Sequence, residues 1–152
     1  MSELRPILIV EDSDEDFEAI MWAWKKGQLR APVVRSKDGE DALDRVFRRG
    51  AYANSDPSAA PVLVMLDLNL PRTHGRAVLA AIKRDADLKT TPVVILTTSA
   101  NPQDIEVCYR EGANSYILKP GEMNRLLEIL QTIEGYWMEV VSLPEPGGIH
   151  AG

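Results

Sequence analysis

The sequence holds a single cysteine, Cys108, in 152 residues, which excludes an internal disulfide and any metal site built on several cysteines. No apolar run approaches the ~18 residues of a membrane span. The opening, MSELRPILIVED, lacks the long apolar segment of a secretory signal. Basic residues are few and scattered: 17 Lys and Arg stand against 23 Asp and Glu, a formal charge of -6, and no basic block exceeds KK or RR. That balance disfavours a protein that grips a nucleic-acid backbone. No internal repeat is present. Together these absences predict a soluble, cytoplasmic protein with no membrane and no nucleic-acid partner.

What the chain does have is core. It is 45% apolar, enough at this length for one domain. Short apolar runs recur along it: Ile7 to Val10, Pro32 to Val34, Val62 to Leu66, Pro92 to Thr97 and Tyr116 to Pro120. Between them lie helical patterns. Ser13 and Asp16 have the spacing of a capping box ahead of Phe17, Ile20, Met21 and Trp24, with Gly27 as a stop. A second helix turns Ala42, Leu43, Val46 and Phe47 inward and ends at Gly50, and a third carries Val78, Leu79 and Ile82. Asn101, Pro102 and Asp104 start a fourth, with Ile105, Cys108 and Tyr109 inward. The last and longest has Met123, Leu126, Leu127, Leu130, Ile133, Trp137 and Val140 at helical spacing, and Gly135 as a point of interruption. AYANSDPSAA reads as a loop. Five strands alternating with five helices predict an α/β fold, a five-stranded parallel sheet of order 2-1-3-4-5 with helices on both faces, flavodoxin-like.

The stretch PVLVMLDLNLP poses the functional question. Five apolar residues without alternation suggest a strand buried on both faces, and they deliver the chain directly into an acid, Asp67. In open α/β sheets the carboxyl ends of the strands form the ligand crevice. The residues just past those ends are Glu11 and Asp12, Asp67, Thr97 and Thr98, and Lys119. Acids converging within ~4 Å repel by several kcal/mol at an effective dielectric near 20, so such a cluster makes sense with a cation among them. All-oxygen donors suit Mg²⁺ or Mn²⁺. A hard divalent ion beside a carboxylate, a hydroxyl and an ammonium is equipment for phosphoryl transfer, with Asp67 as the attacking group, Lys119 holding one phosphoryl oxygen and Thr97 another.

VED at 10 to 12, LDLNLP at 66 to 71, LTTSA at 96 to 100 and LKP at 118 to 120 together resemble the receiver domain of two-component response regulators, over about residues 5 to 134. The resemblance implies Asp67 as phosphoacceptor and Asp12 as a direct Mg²⁺ ligand. It implies Glu11 as an acidic partner acting through water and the Asn69 carbonyl as a further ligand. Thr97 becomes the switch hydroxyl, Lys119 the phosphate contact, and Tyr116 an aromatic that moves inward with Thr97. A cis bond between Lys119 and Pro120 is also implied. The sequence departs from the family pattern at His74, where Asp commonly precedes the turn glycine, and at Glu11, where Asp is frequent.

After about residue 134 only EGYWMEVVSLPEPGGIHAG remains, too short for an effector domain. The expected organisation is a receiver over 1–134 and, over 135–152, an extension of the last helix with a flexible tail, His150 included. The resemblance narrows here to stand-alone receivers paired with bacterial phytochrome histidine kinases. Such a regulator is a phosphoacceptor switch, catalysing its own phosphorylation and dephosphorylation, and signalling by contact. The apolar segment Trp137, Met138, Val140, Val141 and Leu143 exceeds what the core needs and predicts a homodimer joined through it. A haloacid dehalogenase-type phosphatase wants a second Asp where Asn69 stands, and EDSDED after the first strand is hostile to a flavodoxin phosphate. The rival that stays open is a phosphorylation-independent binding module on the same scaffold.

Overall fold

The computed structural model describes residues 4–144; His150 and the rest of the expected tail lie outside them. Five parallel strands, β1 (Ile7–Val10), β2 (Val33–Ser36), β3 (Leu63–Leu66), β4 (Val93–Thr97) and β5 (Ser115–Leu118), form one sheet in the order β2-β1-β3-β4-β5. Helices α1 (Asp14–Lys26), α2 (Gly39–Phe47), α3 (Gly75–Arg84), α4 (Pro102–Glu111) and α5 (Met123–Glu134) connect them. The fold expected from the alternation is the fold observed.

The sheet separates two apolar layers. Leu8, Val10, Leu66 and Ile95 pack with Ala42 and Val46 of α2, Val78, Leu79 and Ile82 of α3 and Cys108 of α4. Ile7, Ile9, Met65 and Leu96 face the other way, onto Ile20 and Trp24 of α1 and Leu126, Leu130 and Ile133 of α5. Residues of β1, β3 and β4 are therefore buried on both faces, which is why those runs show no alternation.

Local differences from the expectations have local causes. Ser13 caps α1 by accepting the Asp16 amide at 3.1 Å, but the return half of the capping box is missing: the Ser13 amide donates to Glu11 Oε2 at 3.1 Å. Gly27 ends α1 with a right-handed φ of -81°; a Cβ there would come within 2.7 Å of Leu127 Cδ1, so the glycine serves the close approach of α1 to α5. Helix α2 stops at Phe47, before Gly50, because Arg48 takes the left-handed cap conformation. Tyr109, expected inward, is 48% exposed; its hydroxyl accepts the outward amide of Tyr116 on the edge strand β5. Among the described residues every peptide bond is trans, Lys119–Pro120 included, so the cis bond implied by the resemblance is not present. Trans is the intrinsic preference before proline as elsewhere, by ~0.5–1 kcal/mol.

The last helix is interrupted at Gly135, as expected, and continues as a π-helical turn over Gly135–Val140. Trp137, Met138 and Leu143 fold back onto the core layer of α1 and α5 and serve this chain's own packing, whereas the sequence predicts the whole segment as an interface. Val140 is 72% exposed and Val141 half-buried. Glu134, at the junction, is buried, and its Oε2 accepts the amides of Arg30 at 2.7 Å and Ala31 at 2.9 Å, which ties the end of α5 to the turn before β2.

Candidate functional site

The register of the sheet builds the site. Val10 of β1 pairs with Leu66 of β3, so the next residues, Glu11 and Asp67, leave adjacent strands side by side. The ladder runs on past both strand ends: the Asp67 amide donates to Val10 O at 3.1 Å and the Glu11 amide to Ser36 O at 3.0 Å. Both acids are consequently held on ordered backbone, 5% and 2% exposed. On the far side Thr97 pairs with Leu118, and the Lys119 amide donates to Thr97 O at 2.8 Å, which aims the lysine back across the sheet end.

Lys119 Nζ closes the cluster. It donates to Glu11 Oε1 at 2.6 Å, Asp16 Oδ2 at 2.7 Å and Asp67 Oδ2 at 2.8 Å. Burial alone would lower its pKa, but the hydrogen bonds to Asp16, Asp67 and Glu11 outweigh it and hold the ammonium above the ordinary lysine value. Burial pushes the Glu11 carboxyl up, the Lys119 hydrogen bond works against that, and the neighbouring Asp67 charge adds to the rise. The second oxygen of Asp67, Oδ1, accepts the Asn69 amide at 3.1 Å.

The turn after Asp67 is held as tightly. The Gly75 amide donates to Leu68 O at 3.0 Å, and a Cβ on Gly75 would clash with the Asp67 carbonyl oxygen. Only glycine lets the start of α3 approach the acid's own backbone this closely. His74, where the family pattern has Asp, caps α3: its Nδ1 accepts the Arg76 amide at 3.1 Å. Thr97 is fully buried at the end of β4, and its Oγ1 accepts the Ser99 amide at a long 3.4 Å. Tyr116 lies half-buried against the α3 and α4 layer, and its hydroxyl donates to Ser99 O at 2.8 Å, two residues beyond Thr97.

Of the residues singled out from sequence, Glu11, Asp67 and Lys119 meet in direct contact, and Thr97 joins Lys119 through the backbone. Asp12 stands exposed at the end of β1, and Asn69, also exposed, reaches the cluster through its amide. Among the described residues, the acids whose oxygens lie within 4.8 Å of one another are Glu11, Asp67 and a third, Asp16. Asp16 was read from sequence only as a cap residue. The donor set tests well for a cation: three carboxylates against one ammonium leave a deficit of two positive charges, and hard oxygen donors are what Mg²⁺ and Mn²⁺ prefer.

A family model described as the response regulator receiver domain matches residues 7–131. The chain belongs to that family. As a receiver it is 40% identical over 138 residues to the response regulator Rcp1 of Synechocystis sp., a match covering 91% of this chain and 92% of Rcp1. Among solved structures it resembles the phosphorylated cyanobacterial phytochrome response regulator RcpA, with TM-score 0.85 and 39% identity over 93% of this chain and 99% of the other. It likewise resembles the Mn²⁺-bound form of Rcp1, with TM-score 0.83 and 39% identity over 92% of this chain and 99% of that one. The receiver is thus a response-regulator switch domain with the site at the carboxyl ends of its strands, and no helix among the described residues is long and apolar enough to cross a membrane.

Proposed function

We propose that this receiver accepts a phosphoryl group on Asp67 from the phosphohistidine of a sensor histidine kinase and signals by protein contact. The observation that carries the reading is the buried Asp67 carboxylate, fixed at the end of β3 and bonded to Lys119 at 2.8 Å. In the transfer, an Asp67 oxygen attacks phosphorus, the P–N electron pair returns to the kinase imidazole, which leaves neutral with a proton on its other ring nitrogen, and an acyl phosphate forms. The chain's part is positional. The β1–β3 ladder holds the nucleophile in line, the Asn69 amide fixes its other oxygen, and Lys119 is placed to follow the phosphoryl oxygens as a point charge. A bound Mg²⁺ or Mn²⁺ would neutralise negative oxygen charge during the transfer; Glu11, Asp67, Asp12 and the Asn69 carbonyl are the residues that would hold it. Dephosphorylation by the receiver itself belongs to the same reading.

Thr97 and Tyr116 carry the output. The path runs from the Thr97 hydroxyl through the Ser99 amide to the Ser99 carbonyl that Tyr116 holds, so a shift of Thr97 towards the phosphoryl group reaches the face of α4 and β5. The likeness to phytochrome response regulators supports a bacteriophytochrome as the kinase, with a stand-alone receiver over 1–134 and 135–152 as its extension. Homodimerisation through that extension is part of the proposal, carried by Val140 and the neighbouring Val141, since Trp137, Met138 and Leu143 pack inward. Val140→Asp is expected to convert a dimer to monomer in sedimentation; an unchanged coefficient removes the arm. The test of the switch is intact mass after incubation with acetyl phosphate, with and without Mg²⁺. One added phosphoryl group that needs both Mg²⁺ and Asp67 is expected. No adduct on the wild type, or an equal adduct on Asp67→Asn, refutes the reading.

A further inference from the structure

Asp16 is the acid of the cluster that neither the sequence pattern nor the switch chemistry above uses. It occupies the third position of α1, where a capping-box acid turns back to the cap residue's amide. Here that amide, on Ser13, is already taken by Glu11 Oε2, and the Ser13 hydroxyl needs only the Asp16 backbone N–H. The Asp16 carboxylate is released from capping and reaches outward to Lys119 at 2.7 Å, with one of its oxygens within 4.8 Å of those of Glu11 and Asp67. Glu11 and Asp67 are walled in; Asp16, with its side chain 45% exposed, forms the solvent side of the cluster. It also lines, with Lys119, Pro120 and Met123, a cavity of about 200 Å³ that opens beside the site.

We infer that Asp16 is a working acid of the switch site, a further carboxylate of the divalent-cation site beside Glu11, Asp12 and Asp67. A divalent ion held by these acids would compete with the Lys119 ammonium for the Asp16 carboxylate. This rests on the phosphoacceptor reading for its consequence, but the cation step stands independently of phosphorylation. The arrangement makes two substitutions act in opposite directions. Asp16→Asn removes one unit of negative charge from the solvent edge of the cation site and is expected to weaken binding about tenfold at a water-like dielectric. Lys119→Met removes the competing cation and tightens binding.

The experiment is Mn²⁺ titration followed by electron paramagnetic resonance, at fixed ionic strength, on the full chain. Wild type is compared with Asp16→Asn, Asp16→Glu, Lys119→Met and Glu15→Gln, the last changing the same charge on the same helical turn at an exposed acid outside the cluster. Asp16→Asn keeps its backbone amide and hence the Ser13 cap, and a melting curve confirms that it is folded. Expected are about tenfold weaker binding for Asp16→Asn, recovery in Asp16→Glu, less than about twofold change for Glu15→Gln, and tighter binding for Lys119→Met. Asp16→Asn within twofold of wild type, or matched by Glu15→Gln, overturns the assignment of Asp16; weaker binding in Lys119→Met overturns its competition with the cation. Acetyl phosphate labelling of wild type is run alongside, so that a chain that binds Mn²⁺ as expected but takes no phosphoryl group refutes the phosphoacceptor reading alone.

Discussion

Replacing Lys119 by methionine tests the electrostatics of the site most directly, because the side chain keeps its length and loses only its charge. Lys119 is the counter-charge for Glu11 and Asp67, whose side chains are 3% and 6% exposed, at 2.6 and 2.8 Å. The third contact, to the half-exposed Asp16, counts for little because solvent screens it. Removing one partner of a buried ion pair costs about 3–5 kcal/mol, since the other is left charged and desolvated. For a domain of this size each kcal/mol moves the midpoint by about 2–4 °C, so the variant is expected to melt about 6–20 °C below wild type in EDTA. Two further signatures follow. Excess Mg²⁺ should restore most of the difference, by supplying the missing positive charge. Acidification should narrow it: burial raises the folded pKa of Glu11 above 4.5, so above that value the native state holds more protons than the unfolded chain, and the stability it lends falls as pH rises. With Lys119 gone that rise is larger, so the gap between variant and wild type shrinks as pH is lowered from neutrality towards 4.5. The measurement is thermal melting by circular dichroism of both proteins with EDTA and with Mg²⁺, at neutral and mildly acidic pH. A variant within about 1 kcal/mol of wild type in EDTA, or one that Mg²⁺ does not rescue, would refute the role of Lys119 as the cluster's counter-charge.

Three other substitutions probe the frame around the site. Gly75→Ala drives a Cβ into the Asp67 carbonyl and is expected to destabilise the fold by about 2 kcal/mol or more and to slow acetyl phosphate labelling, read by urea unfolding and intact mass. Glu134→Ala leaves the amides of Arg30 and Ala31 without their acceptor and should cost about 1–3 kcal/mol in the same unfolding assay. Tyr116→Phe loses the hydroxyl bond to Ser99 O, with an expected cost of about 1 kcal/mol and no change in Asp67 labelling; loss of labelling would place Tyr116 in the chemistry and not the output.

The sheet was legible because burial on both faces removes alternation from β1, β3 and β4, and unbroken apolar runs bounded by acids or hydroxyls are hard to read otherwise. Glu11, Asp67, Thr97 and Lys119 were legible for the same reason: each immediately follows or ends a strand, so strand position alone locates it. Asp16 was not, because its spacing from Ser13 matches a capping box, and the half of that motif that forms is the half using its backbone. What diverts the side chain is Glu11 Oε2 on the Ser13 amide, a contact between residues two apart that no periodicity records. Tyr109 was misplaced because helical spacing describes one face of α4 and says nothing of the β5 edge, whose outward amide draws the tyrosine hydroxyl. Beyond Gly135 the stripe is only partly legible: Trp137, four residues after Ile133, stays on it and packs inward, whereas the π-helical turn changes the angular step, so that Val140 leaves the stripe and is 72% exposed while Met138 packs inward.

The substitution of Glu for Asp at position 11 and the escape of Asp16 from its cap belong together. Glu11 uses Oε1 for Lys119 and Oε2 for the Ser13 amide, two residues ahead on the chain. An aspartate at this place has one methylene less with which to span the buried ammonium and the helix entry at once. If the longer side chain is what satisfies Ser13, then Glu11→Asp returns the Ser13 amide to Asp16, closes the capping box, and withdraws Asp16 from Lys119. The expected result is a variant whose α1 is no less stable, since one cap bond replaces another, but whose Mn²⁺ affinity falls as it does in Asp16→Asn. Combining the two substitutions should then add little to either alone, because both remove the same carboxylate from the cation site. Full additivity in that double-mutant cycle would show that Glu11 and Asp16 act separately.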